Sequence, residues 1–194
     1  MADPGYIVDG VLTDGEAWVP ISSSTPTSTL LTLSSTNDGQ VGDWSQYLDL
    51  VAIVYAQGSV AQEWEWLKGA VNNDYTNDKY AYQLVYTDGN ASVIGVKATT
   101  NELYYGYTVC ANESDYWGGM VVDFHDINSG KFKSIQTRSA ADWGDGGRMY
   151  LNSQVYMGQE PITSIQMHVG SSGSINFISG TRIDLFGVLP RMVA

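Results

Sequence analysis

"INFISGTRIDLFGV", residues 175–188, is the place to begin. Ile175 and Phe177, and then Ile183 and Leu185, stand two apart, the interval at which strand side chains return to the same face. Ser179-Gly180 lies between the two pairs and has the chemistry of a tight turn, so the stretch is expected to fold as a closing β-hairpin. Arg182 and Asp184 alternate with Ile183 and Leu185, giving the second strand one charged face and one apolar face.

The same period recurs upstream. In "YLDLVAIVYAQG", Leu48, Leu50, Ala52 and Val54 form one face, and in "EWEWLKGAV" Trp64 and Trp66 alternate with Glu63 and Glu65. Further strand patterns occupy residues 30–36, 80–86, 91–99, 102–110, 116–127, 130–140, 148–157 and 162–170. In the 102–110 pattern, strict alternation puts Tyr105 and Tyr107 on one face and Tyr104 on the other. Turn signals at Asp88-Gly89, Asn128-Ser129-Gly130, Asp145-Gly146-Gly147 and Ser171-Ser172-Gly173 separate patterns spaced by about ten residues. The expected class is all-β, an antiparallel two-sheet sandwich, formed by residues 30–194 as one domain.

Residues 1–29 differ in texture. "PISSSTPTST" reads as extended and weakly structured, yet Tyr6, Ile7, Val8, Val11, Leu12, Trp18 and Val19 are poor choices for a free linker. They mark the segment as a docking arm, for a partner or for the domain's own surface. "MADPGYIVDG" lacks the basic residues and apolar run of a secretory signal, and no eighteen apolar residues are consecutive, so neither export by a signal nor membrane insertion is expected.

A formal net charge of −12 repels phosphate backbones, which argues against a nucleic-acid partner. With one cysteine, Cys110, no intrachain disulfide can form, and with only His125 and His168 beside it no metal-ligand spacing exists. Cys110 is expected as a small buried hydrophobe, and the two histidines as hydrogen-bonded strand residues. No nucleophile elbow, phosphate loop or dinucleotide fingerprint is present, so no cofactor is implied. Asp123, Asp142, Asp145, Glu113 and Asp115 could supply the two carboxylates of a glycoside hydrolase, but turn formation explains acids in such places more simply. "AVNNDYTNDKY" is likewise read as a turn held by Asx hydrogen bonds.

The most distinctive surface candidate is the loop "SAADWGDGGR", where Trp143 stands among Asp142, Asp145 and Arg148. An indole face beside charged and polar groups suits a sugar ring, which stacks its apolar side and hydrogen-bonds its hydroxyls.

Several stretches, in order, resemble a family of tailed-phage virion proteins with C-terminal jelly-roll domains. They are "YLDLVAIVYAQGS", "LKGAVNNDYTNDKY", "MVVDFHDINSGKFKSIQT", "EPITSIQMHVGSSGSINF" and the closing "FISGTRIDLFGV". Thr181 and Phe186 stand where that family more often has Ser and Tyr. The resemblance implies a jelly-roll-like, non-enzymatic structural protein on the outer surface of a virion, made in a host cytoplasm, as capsid decoration, knob or fibre component. It implies other virion proteins as partners and a homo-oligomer, often a trimer. The alternative it leaves open is a tail receptor-binding domain that recognises a host surface glycan.

Overall fold

The computed structural model describes residues 7–8, 11–12, 18–87, 93–110, 115–142, 146–170 and 174–189, with backbone only at 7–8, 11–12 and 109. Its strands are β1 (Ile7–Val8), β2 (Val11–Leu12), β3 (Trp18–Ser24), β4 (Leu30–Ser34), β5 (Asp49–Gly58), β6 (Trp64–Val71) and β7 (Tyr80–Thr87). They continue as β8 (Val93–Thr100), β9 (Leu103–Cys110), β10 (Gly118–His125), β11 (Lys133–Asp142), β12 (Gly147–Tyr156), β13 (Ser164–Val169) and β14 (Arg182–Val188). Every strand pattern read from residue 30 onward contains a strand except the first half of the closing stretch, residues 175–178, and the class is all-β.

Two antiparallel sheets pack as a jelly-roll-like sandwich. The larger has the order β3-β14-β5-β10-β11-β12-β7-β8 and the smaller β4-β13-β6-β9. They meet where the end of β5 runs briefly parallel to β9, Gln57 opposite Val109 and Gly58 opposite Cys110. Alternation along β10 and β11 turns Val122, Phe124 and Ile135 inward against Leu67, Tyr105, Ile165 and Met167, all fully buried. That dry layer holds the sheets together, each buried aliphatic side chain contributing roughly 1.5–3 kcal/mol.

The opening stretch folds differently from the hairpin expected. Its Ser179-Gly180 turn is present, with Thr181 N–H donating to the Ile178 carbonyl at 3.1 Å. The strand after it pairs with β5 on one edge and β3 on the other, in the registers Ile183↔Val54 and Ile183↔Ser24. Both edges of β14 are therefore occupied, and the preceding residues pair elsewhere: Ile175 bridges Val169 and Phe177 bridges Gly58. The alternation expected within β14 holds, since Ile183 and Leu185 are buried while Arg182 pairs with Asp184 at 2.8 Å outside.

The boundary at residue 29 also moves. Trp18–Ser24 is a strand of the large sheet, and Val19 is 5% exposed in the core. Without β3, the outer edge of β14 would present unpaired backbone groups, so this stretch belongs to the sandwich. The face assignment of the tyrosines is corrected too, because the pairing of β6 with β9 shifts register between Leu67 and Lys68 at a β-bulge. Tyr105 remains in the main core, while Tyr107 joins Tyr104 in a second cluster.

Candidate ligand-binding cleft

The second cluster arises from unequal sheet widths. β9 ends the small sheet and packs across β10, β11 and β12, so the inner face of β7 runs on beyond it. Aromatic side chains fill that step. Trp64 and Trp66 come from β6, Tyr104 and Tyr107 from β9, Tyr82 and Tyr86 from β7, and Tyr150 from β12. Tyr107 and Tyr150 are buried, whereas both tryptophans remain partly open to solvent.

The bulge that brings Tyr104 and Tyr107 together is held from the opposite sheet. The Tyr104 carbonyl accepts from Tyr150 Oη at 3.2 Å, Asn152 Nδ2 at 3.0 Å and Gln154 Nε2 at 2.9 Å. Gln154 Oε1 in turn accepts from Tyr104 N–H at 2.8 Å. Buried amides on β12 thus satisfy the backbone groups that the bulge removes from the β6–β9 ladder.

At the open end, Trp66 lies 4.0 Å from Tyr107, centroid to centroid, and edge-on to Tyr104 at 5.1 Å. Arg148 enters here from β12: its guanidinium carbon is 3.7 Å from the Trp64 ring centroid and 4.8 Å from that of Tyr107, and Nη1 donates to Tyr107 Oη at 3.0 Å. Burial pushes the Tyr107 hydroxyl up to about 12 despite the pull of Arg148. Alongside Trp64 an open depression of about 480 Å³ is lined by Gln62, Glu63, Trp64, Glu65 and Trp66. Gln62 Nε2 bonds to Glu65 Oε2 at 3.1 Å, which fixes both side chains at the rim. Chemically this is a ledge of indole and phenol faces bordered by carboxylates, an amide and one guanidinium.

Of the loop residues expected to bind a glycan, Arg148 lies in this cleft. Asp142 is exposed at the end of β11, opposite Gly147, and Trp143 and Asp145 lie outside the described residues. Strand reading found Trp64 and Trp66 as an alternating pair but gave no sign that β7 and β12 would meet them. In the arm, Tyr6 is outside the described residues. Ile7 and Val8 pair with Leu12 and Val11 in a two-strand ladder that joins no other described strand. Trp18 is exposed beside Phe186 at 5.8 Å, and Val19 is in the core.

The other candidates fall into ordinary roles. Asp123 is paired to Arg138 at 2.8 Å, and the strand register sets it about 20 Å along the sheet from Asp142, beyond the reach of a glycosidase pair. Asp74 caps its own turn by accepting from Thr76 N–H at 3.0 Å. Cys110 is buried, which raises its thiol to about 12. His168 is buried, with Nδ1 3.0 Å from the Gly170 carbonyl and Nε2 3.5 Å from Glu102, while His125 is half-exposed near Asp49. Among the described residues, no three His, Cys, Asp or Glu side chains converge to hold a metal ion.

The geometry defines a class, an all-β sandwich with an aromatic cleft where its smaller sheet stops. No protein-family model matches the chain, and no curated protein matches it.

Proposed function

We propose that this protein is a non-catalytic β-sandwich displayed on a virion that recognises a host surface glycan through the aromatic cleft. The observation that carries this reading is the ledge of Trp64 and Trp66, partly open to solvent beside Glu63, Glu65 and Arg148. Sugars bind where a flat apolar face and convergent polar groups occur together. The virion setting rests on the sequence resemblance, and a docking role for the N-terminal arm is supported by a β1–β2 ladder that joins no other described strand. The homo-oligomer has a suitable surface in the outer face of the large sheet, where Ile53, Tyr55, Val85, Met149 and Leu151 are exposed.

The test is a glycan array with the intact protein, followed by titration of the best-bound oligosaccharide against Trp64→Ala and Trp66→Ala. Each substitution is expected to weaken binding about tenfold or more, about 1.4 kcal/mol. Undiminished binding by both variants, or no glycan bound by the unaltered protein, refutes the reading.

A further inference from the structure

We infer that the ligand of this cleft carries a carboxylate, and that Arg148 receives it: an acidic oligosaccharide with its uronic- or sialic-type sugar at Arg148 and neutral sugars along the tryptophan ledge. The inference deepens the glycan reading and rests on it.

Arg148 is unusual among the cations withdrawn from water. Lys68 is buried and faces Glu102 at 3.5 Å, and buried Lys133 is surrounded by the carbonyls of Ser129, Lys131 and Gln159. Arg138 and Arg182, both exposed, each have an aspartate at 2.8 Å. Arg148, in a chain with 21 acidic and 9 basic residues, has no carboxylate partner among the described residues. Among the described residues its one hydrogen bond goes to a phenol, and its Nε is buried without an acceptor.

A guanidinium offers five N–H donors in a planar fork that matches a carboxylate, and one of them is in use. Contact with the Trp64 ring and the hydrogen bond to Tyr107 Oη hold the group in place, so little side-chain freedom remains to be lost when an acid docks. Partial withdrawal of the guanidinium from water also strengthens a charge-assisted bond made by its more open side.

The surroundings limit how much negative charge the ligand can bear. Glu63 and Glu65 line the depression beside Trp64, and the whole chain carries −12. A polyanion would meet repulsion along the ledge, whereas one carboxylate at Arg148 meets a cation not already paired to a described carboxylate, unlike Lys68, which lies over Tyr104 and faces Glu102. The glutamates are suited to accept from the hydroxyls of neutral sugars next to it.

The experiment is calorimetric titration of the intact protein with two matched pairs, 3′-sialyllactose against lactose and cellobiouronic acid against cellobiose, with sulfated lactose as a further probe. At least one acidic member is expected to bind ten times or more tightly than its neutral partner, with the advantage shrinking as salt rises. In Arg148→Gln that advantage should vanish, so that acidic and neutral members bind alike, and Arg148→Lys should restore part of it. A fold check by near-ultraviolet circular dichroism accompanies each variant, and if Arg148→Gln fails to fold the comparison on the unaltered protein still decides. Equal binding of acidic and neutral members overturns the inference and leaves the glycan reading intact. A preference that survives in Arg148→Gln, or tighter binding of the sulfated probe than of the carboxylated ones, also overturns it. Failure of every sugar, here and on the array, removes the glycan reading as well.

Discussion

Gly106 has a φ of 146°, and a Cβ placed there would collide with the Ser139 side chain. Both facts follow from the bulge that turns Tyr107 away from the core. Gly106→Ala should therefore cost about 3 kcal/mol, read as a fall in the urea midpoint, and should weaken any ligand of the cleft as Tyr107 shifts. A second residue-scale expectation concerns Glu102, which faces both Lys68 and His168 at 3.5 Å. Its hydrogen bond with His168 holds its carboxyl below the usual glutamate value, with Lys68 adding to the effect and burial opposing it. As pH falls the unfolded chain takes up the proton first, so this stabilisation is complete above the ordinary value of 4.5 and is lost as pH drops through the lower folded value. Glu102→Gln should be less stable than the unaltered protein by about 3 kcal/mol at neutral pH, because Lys68 is left buried without its partner. The gap in melting temperature should close toward pH 3, and a gap that stays constant would show that the pairing has no such role. Neither residue stood out in the sequence: Gly106 sits inside a regular tyrosine alternation, and the partners of Glu102 come from β6 and β13.

Among the elements, β3 and the arm before it separate cleanly. β3 covers the free edge of β14 and buries Val19, while β1 and β2 pair only with each other among the described strands. Removing residues 1–17 should leave a sandwich with an unchanged melting curve. Removing residues 1–29 should lower the melting temperature and promote aggregation, because β14 would then expose its backbone edge. Equal behaviour of the two truncations would mean that β3 adds nothing to the fold. If the arm docks the protein on a particle, the shorter truncation should be folded yet missing from purified virions, measured by quantitative mass spectrometry against the major capsid protein. Strand alternation was legible for nearly every element, since it depends only on neighbouring residues. The exceptions were informative: "WVPISSS" carries Pro20 and a run of serines that resemble a linker, and only the open edge of β14 makes a strand of it.

For the molecule as a whole, the outer face of the large sheet matters most to assembly. Val85 and Leu151 stand directly opposite each other across β7 and β12, and with exposed Met149 they make an apolar patch on a chain whose net charge of −12 otherwise favours separation. Sedimentation of Leu151→Glu beside the unaltered protein tests its use. The oligomer expected from the sequence resemblance should dissociate, with glycan affinity per chain unchanged because the cleft lies on the inner side of β12. An unaltered oligomer would move the contact to another surface. The sequence alone determined the all-β class, the inward and outward residues of most strands, the turn at Ser179-Gly180 and the burial of Cys110, because each follows from spacing of two and from local turn chemistry. Only the tertiary structure decided that β14 lies between β5 and β3, that a bulge sets Tyr107 beside Tyr104, and that Trp64 meets Arg148. These outcomes depend on which strand edges remain free and on how far one sheet extends past the other, and both are settled by packing between segments distant in the chain.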